Sequence, residues 1–96
     1  MLWLMIRSFA DREARLIFEG GRSRSYAGLE RVIGRKLLAL HAARLLSDLT
    51  IPPGNRLEAL KGDRRGQHSI RVNDQYRLCF RWEEPDAHEV QIVDYH

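Results

Sequence analysis

The sequence predicts a small α+β domain, with two N-terminal helices packed on one face of a mainly antiparallel sheet in the order β-α-α-β-β-β-β. Two observations support this class. Apolar residues recur at three- and four-residue steps in the first half of the chain, as in a helix, and at every second position in the second half, as in a strand. The length of 96 residues suits one domain with one modest core, so residues 1–96 are expected to form a single unit.

The first half of the chain is predicted to hold one strand and two helices. The apolar opening Met1–Ile6 is typical of a buried strand, and Met5 is a candidate for the natural start. This opening is too short for a membrane span and lacks the basic start of a signal peptide. A short helix is expected over Ala10–Glu19, ending at Gly20-Gly21, and a longer amphipathic helix over Leu29–Leu46.

The second half is predicted to be a β-sheet that follows the break at Ile51-Pro52-Pro53-Gly54. The expected strands are Arg56–Leu60, Ser69–Val72, Tyr76–Trp82 and Glu89–Tyr95.

A two-residue loop between the second and third of these strands would not match their apolar faces, whereas a three-residue loop does. It pairs Ile70 with Leu78 and Arg71 with Arg77. One face of the sheet then points to the core, through Ile70, Val72, Tyr76, Leu78, Phe80 and Trp82. The other face, here the arginine face, carries Arg71, Arg77 and Arg81, and by parity also Tyr95.

The charge distribution points to an anionic partner. The chain has 16 basic and 13 acidic residues, and all basic residues except Lys36 and Lys61 are arginines. The basic excess falls between Gly54 and Arg81. Because arginine grips phosphate with two donors, this region suits a polyanion. A solvated basic face without a ligand is the alternative. The single cysteine, Cys79, fits a reducing compartment and is read as a small strand residue.

Three groups of residues on or near the arginine face could together cleave RNA without a metal ion. That reaction needs a base for the 2′-hydroxyl, a cation beside the phosphate and an acid for the leaving 5′-oxygen. The candidate catalytic residues are Glu58 or Asp94 as base, Arg77 and Lys61 as charge stabilisers, His96 as acid and Tyr95 as a stacking or positioning residue. The candidate RNA-binding residues are Arg64, Arg65, Arg71 and Arg81. The histidines show no ligand spacing, so neither a metal nor a cofactor is expected.

Three stretches then resemble a known family. They are MIRSF at Met5–Phe9, PPGNRLEALKGDRRGQHSIRVNDQYRLCF at Pro52–Phe80, and the closing VDYH. Together they resemble the HigB-type toxins of the RelE superfamily, also called plasmid-maintenance killer or host-inhibition toxins. Where some members have a histidine before the lysine of the Leu-Lys-Gly turn, this chain has Glu58.

The resemblance implies a cytoplasmic toxin of a type II toxin–antitoxin system that enters the ribosomal A site and cleaves the translated mRNA. It also implies a HigA-like helix-turn-helix antitoxin. The toxin would be bound at operator DNA only through this antitoxin. By the same resemblance, Lys61, Arg77 and Asp94-Tyr95-His96 match functional positions of the family. Two alternatives stay open: a non-catalytic relative that blocks the A site or binds RNA, and an interaction module whose basic face only holds its antitoxin.

Overall fold

The computed structural model describes residues 6–94 and contains two helices followed by four strands. The elements are α1 (Arg12–Phe18), α2 (Glu30–Ala42), β1 (Glu58–Ala59), β2 (Gln67–Arg71), β3 (Tyr76–Glu83) and β4 (Asp86–Asp94). The four strands form one antiparallel sheet in the order β1-β2-β3-β4. The predicted α+β class is therefore confirmed.

The predicted first strand lies mostly on residues 1–5, outside the described part of the chain. Its described end runs beside β4, where Ile6 and Phe9 form isolated parallel bridges to Ala87 and Val90. The Arg7 N–H donates to the Ala87 carbonyl at 2.7 Å. The segment thus covers the outer edge of β4, whose backbone groups would otherwise be unpaired.

Helix α1 is fixed at its start by Asp11. One oxygen of this carboxylate accepts from the Glu13 N–H at 2.8 Å and so caps the helix. The other oxygen accepts from the Ile92 N–H at 3.0 Å. Asp11 therefore caps α1 and ties it to β4 with one side chain.

Helix α2 ends at Ala42, four residues before its predicted end at Leu46, because the carboxylate of Asp48 starts a new turn after Ala42. Asp48 accepts from the backbone N–H groups of Leu45 and Arg44, both at 3.0 Å. These two bonds lower the pKa of the Asp48 carboxyl. The chain after Ala42 consequently turns into a short 3₁₀ helix (Leu46–Thr50) instead of continuing α2.

The core lies between the helices and one face of the sheet. Seven of its large side chains are 0% exposed and come from α2 and the three long strands: Ile33, Leu37, Leu40, Ile70, Leu78, Phe80 and Val90. Burying side chains of this size supplies most of the favourable free energy of a small domain. Within residues 6–94, no helix has the length and apolar character needed to cross a membrane.

The register predicted for the β2–β3 hairpin is confirmed. Ile70 pairs with Leu78, and Arg71 pairs with Arg77. The side-chain oxygen of Asn73 accepts from the backbone N–H groups of Gln75 and Tyr76, at 2.9 and 2.8 Å, and so helps to hold the turn.

Strand β4 begins three residues before the predicted Glu89, and a bulge explains why its pattern was misread. The pairing with β3 shifts between Cys79 and Arg81, and Glu89 adopts a φ of +54°. The extra residue lets Ala87 and Val90 both face the core although they are three positions apart.

Candidate active site

Arg77 is the centre of the arginine face, and it is buried. Only 8% of Arg77 is exposed. Its neighbours Ser69 and Cys79 on the same face are fully buried. The alternative of a solvated basic face therefore does not hold at Arg77, because the chain that precedes β1 covers the face at this point.

Hydrogen bonds hold the Arg77 guanidinium in one orientation. Its Nε donates to the Ser69 Oγ at 2.7 Å, and one terminal nitrogen reaches the Ser69 carbonyl at 3.4 Å. The same nitrogen donates to the Arg56 carbonyl. A buried charge is costly unless such bonds satisfy it. The guanidinium plane is consequently set before any ligand arrives.

Arg56 presents that carbonyl through an unusual backbone conformation. Its φ of +46° and ψ of +57° lie in the left-handed region. The predicted strand Arg56–Leu60 is thereby reduced to Glu58–Ala59. The turn at Arg56 points its carbonyl at Arg77 across 21 residues of sequence.

Glu58 stands beside Arg77, as predicted. It pairs with Ser69 across β1 and β2, and one carboxylate oxygen lies 3.7 Å from the Arg77 guanidinium. The Glu58 side chain is 52% exposed. A half-exposed carboxylate next to a fixed guanidinium places a proton acceptor beside a phosphate-binding group.

A polar cleft of about 480 Å³ opens next to this pair. Its lining residues are Gly54, Arg56, Arg71, Asn73, Asp74 and Arg77. Arg71, a predicted RNA-binding residue, therefore shares a cleft with Arg77.

The predicted residues of the turn after β1 are less closely tied to Arg77. Lys61 and Arg65 are exposed at the two ends of the 3₁₀ turn Gly62–Arg64. Arg64 is half-buried and donates to the Gln67 side chain at 3.4 Å. These three cations border the face without contributing to the cleft.

Arg81, also predicted to bind RNA, lies beside two carboxylates. Its guanidinium lies 3.4 Å from Glu83 and 3.7 Å from Glu89. His88 lies 3.8 Å from Glu83. Two carboxylates already balance the Arg81 charge, so its interaction with phosphate would be weakened.

The C-terminal candidates are only partly described. Asp94 pairs with Tyr76 at the helix-facing side of β4, and Gln75 donates to its carboxylate at 3.1 Å. Burial raises the pKa of the Tyr26 hydroxyl, and the charges of Asp11 and Asp94 raise it further. Tyr95 and His96 lie outside the described residues.

Cys79 is a strand residue, as predicted, and the structure shows that it is buried. Burial raises the pKa of its thiol, although the charges of Arg64 and Arg77 act in the opposite direction. In the described part of the chain, no three His, Cys, Asp or Glu side chains are grouped so as to hold a metal ion.

Sequence reasoning missed Ser69 and Arg56. Ser69 lies on the arginine face two positions before Arg71, so the predicted register contained a weak signal for it. The role of Arg56 depends on its backbone conformation, for which the residue type carries no signal.

Helices on one face of an antiparallel sheet, with a fixed arginine and a carboxylate on the other, form a small α+β domain that is consistent with the RelE-like toxin class. The chain belongs to the HigB-like toxin family: the family model described as RelE-like toxin of type II toxin-antitoxin system HigB matches residues 7–96.

Individual relatives agree with this family. The chain is 55% identical over 56 residues to Toxin HigB-1 of Vibrio cholerae serotype O1, an alignment that covers 58% of this chain and 59% of that toxin. It is 33% identical over 94 residues to Endoribonuclease HigB of Proteus vulgaris, covering 96% of this chain and 100% of that protein. The match to the Vibrio toxin thus spans less than two thirds of its length, whereas the match to the Proteus enzyme is end to end.

Proposed function

We propose that this toxin is a ribosome-dependent endoribonuclease that cleaves mRNA in the ribosomal A site without a metal ion. The observation that carries the proposal is that the Glu58 carboxylate lies 3.7 Å from the Arg77 guanidinium. Hydrogen bonds to Ser69 and to the Arg56 carbonyl hold this guanidinium in place. The name of the Proteus relative, an endoribonuclease, supports the same reaction.

In the proposed reaction the ribose 2′-oxygen attacks the adjacent phosphorus, and the bond from phosphorus to the 5′-oxygen breaks. The base takes the 2′-hydroxyl proton, and the acid gives a proton to the leaving 5′-oxygen. The products are a 2′,3′-cyclic phosphate and a 5′-hydroxyl end. Arg77 stabilises the charge that develops on the phosphate, and Lys61, in the turn after β1, adds a second positive charge. His96 is the proposed acid, and Tyr95 stacks on a base of the message.

Glu58 is the better candidate for the base. It shares the face of Arg77, and half of its side chain is accessible to a ribose. The strand register places Asp94 at the helix-facing side of β4, opposite Tyr76. The ribosome would supply the alignment of the message, which is worth many kcal/mol in reactions that depend on orientation.

The proposed partners follow from the family. A type II toxin has an antitoxin, and we propose a HigA-like helix-turn-helix protein that alone contacts the operator DNA. Action on translating ribosomes places the toxin in the cytoplasm.

The experiment that tests the proposal uses purified ribosomes programmed with a defined mRNA, with the 5′ ends of the products mapped after addition of the toxin. Glu58→Gln keeps the shape of the side chain and removes its basicity, so we expect cleavage to fall about 10²-fold or more. Arg77→Ala removes the charge at the phosphate and should reduce cleavage by a similar factor, about 10²- to 10³-fold. Arg12→Ala is the matched control, because this exposed arginine lies on α1, on the opposite side of the sheet.

Three results would contradict the proposal. Arrested translation with an intact message would identify a non-catalytic blocker of the A site. No effect on translation, together with weaker antitoxin binding by Arg77→Ala, would identify an interaction module. Cleavage that is unchanged in both variants would move the chemistry away from this site.

A further inference from the structure

We infer that the cleft beside Arg77 binds a second phosphate of the RNA, next to the phosphate at which cleavage is proposed, and that Arg56 and Arg71 are the side chains that hold it. This inference rests on the proposed function and extends the site by a residue, Arg56, that no sequence motif indicated.

The cleft has the size and the chemistry for such a ligand. Its volume of about 480 Å³ lies within the range of roughly 300–1,000 Å³ that is usual for small-molecule sites. Three of its six lining residues are arginines, and one, Asp74, is acidic. Guanidinium groups bind phosphate oxygens with two parallel hydrogen bonds, so three of them around one space favour an anion.

Cations are crowded behind the cleft as well. The Lys36 ammonium donates to the Asn55 side chain, and Asn55, fully buried, directly precedes Arg56. Partial burial, and then the charges of Arg35 and Arg71, lower the pKa of Lys36. A bound phosphate would reduce this repulsion among neighbouring cations.

Asp74 is the internal competitor for the site. Its carboxylate contacts the Arg71 guanidinium, and the Asp74 side chain is 100% exposed. An exposed ion pair of this kind contributes little to stability, so a phosphate can displace it. The side chain of Asn73, and not that of Asp74, accepts the Gln75 and Tyr76 N–H groups at the hairpin turn, so replacing Asp74 removes neither hydrogen bond.

The backbone joins the two phosphate positions. The Arg56 carbonyl accepts a hydrogen bond from Arg77, while the Arg56 side chain lines the cleft. One residue therefore orients the proposed catalytic arginine and faces the neighbouring phosphate.

The test is binding of a fluorescent DNA hexanucleotide, which has the phosphates of the message but no 2′-hydroxyl and so cannot be cleaved. Anisotropy is measured as a function of salt for Arg56→Asn, Arg71→Gln, Asp74→Asn and the Arg12→Ala control. Asn is chosen at position 56 because it tolerates the left-handed conformation.

We expect Arg56→Asn and Arg71→Gln each to weaken binding about three- to tenfold and to reduce the salt slope by roughly 0.7. Asp74→Asn should tighten binding about twofold or more, because it frees Arg71. Arg12→Ala should bind as the unaltered chain does. The control separates a specific cleft from a general effect of net charge, because Arg12→Ala removes one positive charge just as Arg71→Gln does.

Equal affinities for all variants at unchanged unfolding midpoints would overturn the inference, as would the absence of saturable binding by the unaltered chain. Inorganic phosphate is titrated in parallel as a competitor of the labelled hexanucleotide. If its affinity equals that of the hexanucleotide per phosphate group, the cleft is a site for free phosphate and the inference of an RNA phosphate is rejected. The same variants are assayed on programmed ribosomes. Cleavage that persists at full rate in the Arg56 and Arg71 variants would reject the subsite alone, whereas no cleavage by the unaltered chain would reject the proposed function.

Discussion

Replacing Ser69 by alanine tests whether the orientation of Arg77 depends on a single buried hydroxyl. Ser69 is fully buried, and its Oγ accepts from the Arg77 Nε at 2.7 Å. A hydrogen bond to a charged group contributes about 1.5–3 kcal/mol, and its loss leaves a buried N–H without this partner. In a domain of this size each kcal/mol lowers the melting temperature by about 4–8 °C, so we expect Ser69→Ala to melt roughly 6–24 °C lower.

In Ser69→Ala, the cleavage activity should fall by more than the loss of folded protein explains. A guanidinium freed to rotate loses its alignment with the phosphate, and small misplacements cost up to about 10²-fold in rate. We therefore expect cleavage per folded molecule to fall about ten- to hundredfold in Ser69→Ala, and Ser69→Thr, which keeps the hydroxyl, to recover part of it.

Two comparisons separate this positioning role from general destabilisation. Cys79→Ala removes a buried atom from the residue paired with Ser69 but has no hydrogen bond to Arg77, so it should destabilise the fold and leave cleavage per folded molecule unchanged. In a double-mutant cycle, the effect of Ser69→Ala on the free energy of unfolding should shrink by about 1 kcal/mol or more in the Arg77→Ala background. Full activity of folded Ser69→Ala, or a cycle without coupling, would refute the reasoning.

Further expectations concern α1, acid stability and the thiol. Asp11→Ala removes the cap of α1 and the acceptor for Ile92, so urea denaturation should show a loss of about 2 kcal/mol, while Asp11→Asn should retain part of the cap; a loss within error of zero would contradict the double role. Backbone N–H groups of Glu30 itself and of Ser23 hold the pKa of the Glu30 carboxyl below its usual 4.5, so its contribution to stability is complete above that pH and is lost as the pH falls through the lowered pKa. Glu30→Gln should therefore show a shallower decline in stability on acidification, and an unchanged pH profile would disprove this contribution. Because burial raises the pKa of the Cys79 thiol, a thiol reagent should label the native chain slowly and the denatured chain at once, whereas rapid native labelling would show that the arginine face opens.

The sheet was predicted largely because its determinants are local. Alternation of apolar residues and the length of the loop at Asn73 were enough to predict the pairing of Arg71 with Arg77. The boundaries of β1 and β4 were not predicted correctly, because a left-handed residue at Arg56 and a bulge at Glu89 interrupt the pattern at single positions.

By itself, the sequence determined the α+β class and the two faces of the hairpin, because residue spacing along a strand decides which side each residue faces. The pairing of β1 with β2 decided that Glu58 lies on the face of Arg77. Only the tertiary structure decided that Arg77 is buried and held by Ser69 and the Arg56 carbonyl, and that Arg81 is balanced by carboxylates. These contacts join residues 8 and 21 positions from Arg77, and they depend on where the chain before β1 folds back over the sheet. The periodicity of the sequence does not predict where the chain folds back, and here the folded-back segment buries the Arg77 side chain and fixes its orientation.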